Sequence, residues 1–100
     1  MFIHSVYFWL KEDISDAERA EFLRGAQLLL GVDTIVRGHI GTPATTRRVV
    51  IDSSYDYALV FEFADQAGQD TYQEHPIHLQ FVADCAQYWT RVLVYDSVAI

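Results

Sequence analysis

The chain has 100 residues, of which 51% are apolar, and a formal net charge of −7. This length suits one core, so we expect residues 1–100 to form a single domain. An acidic chain with scattered arginines lacks the basic patch that nucleic acid or an anionic membrane requires, so neither is an expected partner.

Two further features of the sequence limit the class of protein. Cys85 is the only cysteine, so neither an intramolecular disulfide nor a cysteine-based zinc site is expected, and its apolar spacing predicts a buried small side chain. The first apolar stretch ends at Lys11, Glu12 and Asp13, too early for a secretion signal or a membrane span. We therefore expect a cytoplasmic protein.

The first predicted element is a strand over Phe2 to Leu10. Its residues alternate, and its β-branched and aromatic content is typical of a strand. One face carries His4, Val6, Phe8 and Leu10. The other face is also largely apolar.

A capping box predicts the start of the first helix. Ser15 and Glu18 have the spacing at which each side chain binds the other residue's backbone N–H, so the helix should begin at Asp16. Gly31 is a natural stop. The predicted apolar stripe comprises Phe22, Leu23, Ala26, Leu29 and Leu30.

Val32 to Ile40 is predicted as a more polar strand at an edge of the sheet. A long connection, Gly41 to Ser54, follows it. Within this connection, Val49 to Ile51 places three β-branched residues in a row. We expect them to pack against an apolar surface, as an extra strand or a lid, because their joint exposure would be unusual.

Tyr55 to Phe63 has the clearest strand pattern in the chain. Asp65 is placed to cap a helix over Gln66 to His75, and Pro76 disfavours helical geometry at the residue before it. Pro76 then suits the first position of a new helix that runs to about Tyr88. Its predicted buried side comprises Ile77, Phe81, Val82, Cys85 and Trp89. A last strand is predicted over Arg91 to Val98.

The order β-α-β-β-α-β predicts an α+β, ferredoxin-like fold. Its four-stranded antiparallel sheet has strand order 4-1-3-2 and the helices on one face. The uncovered face would carry Tyr7, Trp9 and Val60, with either Leu93 and Tyr95 or Val92 and Val94. This apolar surface is larger than a soluble monomer usually exposes, which predicts a homodimer through the face that the helices leave open.

Tyr72 and His78 are the residues best suited to chemistry. Six positions apart, they would diverge by about 120° on a continuous helix, but a break at Pro76 lets both side chains face the space between helices and sheet. A phenol that polarises a substrate oxygen and an imidazole that titrates near neutrality form a general acid/base pair. In the alternative interpretation, each only satisfies a local polar group.

The other histidines are weaker candidates for a catalytic role. His75 lies at a helix end, which favours helix capping, and His4 lies on an apolar strand face, where a core role competes with a catalytic one. His75 and His78 are separated by the proline break and lack an evident acidic third ligand, so neither a metal nor another cofactor is expected.

Several segments together resemble the stress-responsive A/B barrel, or Dabb, family of dimeric α+β barrels. They are Ile3-His4-Ser5-Val6, Gly31-Val32, Tyr55 to Phe63, Tyr72-Gln73-Glu74-His75-Pro76-Ile77-His78 and Val92 to Asp96. The resemblance spans nearly the whole chain. It implies a homodimer in which two sheets form a barrel, with a small-molecule pocket in each subunit between sheet and helices.

In the plant polyketide cyclase branch of that family, a catalytic tyrosine and histidine correspond to Tyr72 and His78, and a first-strand histidine corresponds to His4. Tyr57 stands where that branch has another histidine, so the polyketide substrate does not carry over. The expected catalytic residues are Tyr72, His78 and His4. The expected ligand-binding residues are Val6, Phe8, Phe22, Tyr57, Leu59 and Trp89.

Three functions remain open from the sequence. The first is cofactor-independent acid/base catalysis, by a cyclase or isomerase, on a small aromatic or polyketide-like compound. The second is a non-catalytic dimer that contributes to stress tolerance or binds a small hydrophobic ligand. The third, a heme-free oxygenase, has no residue that favours it over the first.

Overall fold

A computed structural model describes all 100 residues and contains four strands and three α-helices. Short 3-10 turns extend the first helix over Leu29–Gly31 and the third over Ala86–Tyr88. The elements are β1 Phe2–Leu10, α1 Asp16–Leu28, β2 Ile35–Gly41, β3 Tyr57–Phe63, α2 Gln66–Glu74, α3 Pro76–Cys85 and β4 Trp89–Val98.

The four strands form one antiparallel sheet in the order β2-β3-β1-β4. This is the predicted order, and the ferredoxin-like α+β fold is confirmed. Strand β1 lies in the centre between β3 and β4, so the two faces of β1 decide what the helices cover. His4, Val6, Phe8 and Leu10 are buried on the helix side, as their alternation predicted.

Helix α1 begins where the capping box predicted. The Ser15 Oγ accepts from the Glu18 backbone N–H at 3.1 Å, and the Glu18 carboxylate accepts from the Ser15 backbone N–H at 3.0 Å. Phe22, Ala26 and Leu29 are buried from the predicted stripe, but Leu30 is exposed. The 3-10 turn at the end of α1 rotates Leu30 out of the stripe.

The break between α2 and α3 is at His75, as predicted. His75 has extended backbone geometry, and Pro76 occupies the start of α3. The His75 Nδ1 accepts from the Ile77 backbone N–H at 3.1 Å. His75 therefore caps the beginning of α3 and does not bind carbonyls at the end of α2.

The bounds of β1 are those predicted, whereas the starts of the other three strands differ from the prediction by two or three residues. Strand β2 begins at Ile35 because Val32 is buried in a turn, where its N–H donates to the Leu29 carbonyl at 3.1 Å. Strand β3 begins at Tyr57, and β4 begins earlier than expected, at Trp89. Val82, predicted as buried on α3, is partly exposed instead.

The prediction for Val49 to Ile51 is wrong. Val49 and Val50 form a turn and are almost fully exposed, and only Ile51 is partly buried. The Ile51 backbone N–H donates to the Arg48 carbonyl at 3.0 Å, which closes the turn. This tight turn projects the two valines outward, so they form neither a strand nor a lid within the subunit.

The sheet face opposite the helices is left open. Register pairs Tyr7 with Leu93 and Ser5 with Tyr95, so Leu93 and Tyr95 lie on this open face. Val94 pairs with Val6 and lies on the helix side instead. The open face thus carries an aromatic cluster in which Tyr7 lies 5.0 Å from Tyr55 and 6.4 Å from Tyr95 between ring centroids. No helix of this structure has the length and apolar content that crossing a membrane requires.

Candidate functional site

A cavity of about 330 Å³ lies between the helix side of the sheet and the α2–α3 pair. Three of its lining residues, His4, Tyr72 and His78, are the expected catalytic set, and Val6, Phe8, Leu59 and Trp89 belong to the expected ligand-binding set. The others are Gln69, Gln73, Phe81, Val82, Val92, Val94 and Asp96. Four of the lining residues, Trp89, Val92, Val94 and Asp96, belong to the edge strand β4.

Two expected ligand-binding residues, Phe22 and Tyr57, lie outside this lining. Their rings stack on each other with centroids 5.3 Å apart, and both are buried in the core. Helix α1 brings Phe22 against the sheet at this point, where the two rings pack within the core. Phe22 and Tyr57 thus lie outside the lining of this cavity, and their part in ligand binding stays a prediction.

Tyr72 reaches the cavity from α2. Its ring centroid lies 4.8 Å from that of His78 and 5.8 Å from that of His4, and only 2% of the residue is exposed. Its hydroxyl has no hydrogen bond within the protein. Thr34 Oγ1 is the only fully enclosed side-chain polar atom without a partner, so the Tyr72 hydroxyl keeps some accessible surface, and Tyr72 lines the cavity. Burial raises the pKa of Tyr72 far above its ordinary value, so the phenol is a neutral donor.

His78 reaches the same cavity from the first turn of α3. Its Nδ1 lies 3.0 Å from the Gln73 carbonyl oxygen. A carbonyl only accepts, so Nδ1 carries the proton and Nε2 of the neutral ring is the free base. Burial, with a smaller contribution from nearby His4, lowers the pKa of His78, although the Gln73 hydrogen bond opposes the shift.

His4 pairs with Asp96, a residue that the sequence reasoning missed. The His4 Nδ1 lies 2.6 Å from Asp96 Oδ1, and the two residues face each other across β1 and β4. The carboxylate holds the ring of the buried histidine in one orientation. Asp96 is identified as a partner of His4 by the strand register, which is known only once β1 and β4 are paired.

Gln69 is the second site residue that sequence reasoning missed. It lies one helical turn before Tyr72, is 92% buried, and donates its amide N–H to Gln73 Oε1 at 2.9 Å. The spacing of three residues to Tyr72 places both on one face of α2. That spacing could have indicated Gln69 once Tyr72 was chosen.

A second, larger groove of about 450 Å³ lies between α1 and α3. It contains Cys85, but burial raises the pKa of this thiol to about 11, so it is not an activated nucleophile. Its charged side chains, Glu21, Arg24 and Asp84, are exposed. The chemically suited residues therefore meet in the smaller cavity under α2 and α3.

The sheet order places this chain in the class of ferredoxin-like α+β proteins, and His4, Tyr72 and His78 meet between its sheet and the α2–α3 pair. The model of the stress responsive A/B barrel domain, Dabb, matches residues 2–99. The chain belongs to the Dabb family, as the resemblance of its segments predicted.

Solved structures give the same result for the fold. A Dabb family protein with a ferredoxin-like fold from Mesorhizobium loti is 29% identical, with a TM-score of 0.79 and coverage of 99% of this chain and 96% of that one. A dimeric ferredoxin-like protein of unknown function from Thermobifida fusca is 16% identical, with a TM-score of 0.78 and coverage of 98% and 90%. A hydroxynitrile lyase from Passiflora edulis is 16% identical, with a TM-score of 0.80 and coverage of 99% and 93%. No curated protein sequence matches the chain.

Proposed function

We propose that this Dabb protein is a cofactor-independent acid/base catalyst, of cyclase or isomerase type, acting on a small aromatic or polyketide-like compound. The observation that supports this most is the hydrogen bond from His78 Nδ1 to the Gln73 carbonyl. It leaves Nε2 as a base in a ring 4.8 Å from that of Tyr72, whose hydroxyl is a free donor.

The proposed step is removal of a proton from carbon next to a substrate carbonyl. His78 Nε2 takes the proton, and the electron pair moves onto the carbonyl oxygen as an enolate. The Tyr72 hydroxyl donates a hydrogen bond to that oxygen, where negative charge develops. The His78 imidazolium then returns the proton, either to a different carbon or to an oxygen, so that no cofactor is consumed.

His4 and Asp96 form the polar wall of the proposed site. Because Asp96 binds Nδ1, the opposite edge of the His4 ring is held in a fixed direction beside Tyr72. Because the His4 ring is already oriented, no free energy is needed to reorient it when the substrate binds. We assign His4 to substrate orientation and Asp96 to the positioning of His4.

The hydroxynitrile lyase of similar fold gives limited support. At 16% identity it shows only that a protein with this fold is an enzyme. Nothing about its substrate or its residues is transferred to this chain.

We also propose that the protein is a homodimer through its open sheet face. Tyr95 is 62% exposed there, beside Tyr7 and Leu93. Soluble monomers rarely expose an apolar patch of this kind. The Thermobifida fusca protein of similar fold is dimeric, which supports the same arrangement. A second sheet packed on this face would bury the aromatic cluster.

The catalytic proposal is tested by proton exchange on a bicyclic ketone, 2-tetralone, in D₂O, followed by NMR. The wild-type protein should accelerate deuterium incorporation next to the carbonyl, whereas His78→Ala should reduce the rate to the buffer background. His39→Ala is the matched control, because His39 is exposed on β2, away from the cavity. Equal acceleration by wild type and His78→Ala would refute the assignment of the base.

A second candidate is a non-catalytic protein that binds a small hydrophobic ligand. It is favoured by the lining of the cavity, in which nine of the 14 residues are hydrophobic. Native mass spectrometry of protein purified from its own host distinguishes the two functions when combined with the exchange assay. A co-purified compound that survives incubation unchanged supports a binding protein.

A further inference from the structure

The cavity has an unusual balance of charge. None of its 14 lining residues is lysine or arginine, and Asp96 is its only carboxylate. The lowered pKa of His78 also keeps that ring uncharged near neutral pH. A bound carboxylate or phosphate would therefore meet no cation of fixed charge and would face Asp96, at a cost in desolvation and repulsion.

Besides the Tyr72 hydroxyl, the lining contains an amide oxygen without a partner in the protein. Gln69 uses its amide nitrogen to bind Gln73, so its Oε1 has no hydrogen bond within the protein. The residue is only 8% exposed, and its side chain belongs to the cavity wall. As with the Tyr72 hydroxyl, Gln69 Oε1 keeps some accessible surface, and the residue lines the cavity. A buried acceptor of this kind gains from a ligand that brings a donor.

The volume limits the size of such a ligand. An apolar cavity of ~150 Å³ holds one benzene ring. At about 330 Å³, this cavity has room for a substituted ring or two fused rings.

We propose that the cavity selects neutral, hydroxyl-bearing compounds of one or two rings over carboxylates, and that Gln69 recognises the hydroxyl. The ligand O–H donates to Gln69 Oε1 while its rings pack against the valines and aromatic residues of the wall. This inference rests on the proposed function, because it names the ligand class of the same site.

Three probes of one ring system test this selection: 2-naphthol, naphthalene and 2-naphthoate, titrated at pH 7 and followed by probe fluorescence. The wild-type protein should bind 2-naphthol about fivefold or more tightly than naphthalene, the gain expected of one added hydrogen bond. It should bind 2-naphthoate at least tenfold more weakly than 2-naphthol. The exchange assay with 2-tetralone is run on the same samples.

Gln69→Leu should lower the affinity for 2-naphthol about fivefold and leave the affinity for naphthalene unchanged. Gln80→Leu is the matched control, because it removes an equivalent glutamine pairing on α3, to Asp84 at 2.8 Å, outside the cavity. Gln69→Met provides a second variant of similar length if Gln69→Leu unfolds below room temperature. Thermal unfolding is measured for all three variants.

The outcomes separate the two proposals. Equal binding of all three probes overturns the selection but leaves a functional ligand site. A preference for 2-naphthol that persists in Gln69→Leu and Gln69→Met overturns the assignment to Gln69. Failure of every probe to bind, together with absence of 2-tetralone exchange, overturns both this inference and the proposed function.

Discussion

At the scale of single residues, the direction of one hydrogen bond determines what His78 can do. The Gln73 carbonyl is one of those that α2 leaves free at its end, and it fixes the proton on His78 Nδ1. Burial lowers the pKa of the ring, so the neutral base dominates near pH 7. Tyr72 has the opposite shift, because burial raises its pKa, and the pair therefore combines a neutral base with a neutral donor.

The lowered pKa of His78 predicts the pH dependence of the proposed exchange. Protonation removes the base, so the rate should rise with pH and reach a plateau, with its midpoint below the ordinary histidine pKa of 6.5. The rate of 2-tetralone exchange between pH 4.5 and 8, corrected for buffer, measures this midpoint. A midpoint above 6.5 would contradict the lowered pKa that burial of the His78 ring predicts.

The same shift predicts a small effect on stability. The unfolded chain binds the proton of His78 more tightly than the folded chain does, so the contribution of His78 is fully present above the unfolded pKa of about 6.5. It decreases as pH falls from there toward the lower folded pKa. Chemical denaturation of wild type and His78→Gln across this window should show that the free energy of unfolding decreases less in the variant as the pH falls. Equal slopes in the two proteins would argue against the shift.

Tyr72→Phe should separate function from folding. The hydroxyl has no partner in the protein, so its removal should change the free energy of unfolding by less than about 0.5 kcal/mol. The exchange rate should fall severalfold or more, because the donor to the enolate is lost. The control is Tyr88→Phe, whose hydroxyl donates to Glu21 Oε2 at 2.8 Å, so its loss should lower the free energy of unfolding more than the loss of the Tyr72 hydroxyl does. A large destabilisation by Tyr72→Phe would favour a structural role for this tyrosine.

At the scale of elements, the break between α2 and α3 brings the site together. The extended geometry at His75 changes the direction of the chain between Tyr72 and His78, so both rings face the cavity. Pro76 makes the break independent of tertiary packing, since it disfavours helical geometry before it. The His75 side chain then stabilises the start of α3, which carries His78 in its first turn.

This cap can be tested separately from the proline. His75→Ala should cost about 0.5–2 kcal/mol of stability, because the Ile77 N–H loses its acceptor. His75→Asn keeps an acceptor at the same position and should recover most of the loss. Urea denaturation followed by circular dichroism measures both. If the alanine and asparagine variants are equally unstable, the Ile77 hydrogen bond is not the cause.

At the scale of the whole molecule, the sheet has one face covered by helices and one face without cover. The open face places Tyr7, Tyr55 and Tyr95 in one aromatic cluster. The exposed Val49 and Val50 add apolar surface in the connection between β2 and β3. These features favour association of two copies through the sheet.

The proposed dimer predicts a solution mass twice the 11.5 kDa of one chain at micromolar concentration. Tyr95→Arg places a charge within the proposed interface and should shift the mass toward the monomer. Leu28→Arg is the matched control, because Leu28 is equally exposed but lies on the helix side. Size-exclusion chromatography with light scattering measures all three proteins. A monomeric wild type, or an equal shift in mass with Leu28→Arg, would refute the proposed interface.

Much of the architecture was predictable because it depends on local patterns. The alternation of β1 and β3, the capping box at Ser15 and the break before Pro76 each indicate an element without knowledge of its neighbours. Val49 and Val50 were mispredicted because composition indicated burial, while the actual backbone turn points both outward. The sequence pattern does not separate Phe22 and Tyr57 from residues that line the cavity, because an apolar residue of the core and one of a cavity wall have the same pattern.

The sequence by itself determined the order of elements, because periodicity, capping and proline act over a few residues. The strand order followed from the ferredoxin-like pattern of those elements, and the sequence also offered Tyr72, His78 and His4 as candidates. Only the tertiary structure brought Asp96 to His4. It also decided which atom of His78 is free, and that Leu93 and Tyr95 lie on the open face. Each of these depends on strand register or on a contact between two elements, and such contacts are set by packing of the whole chain.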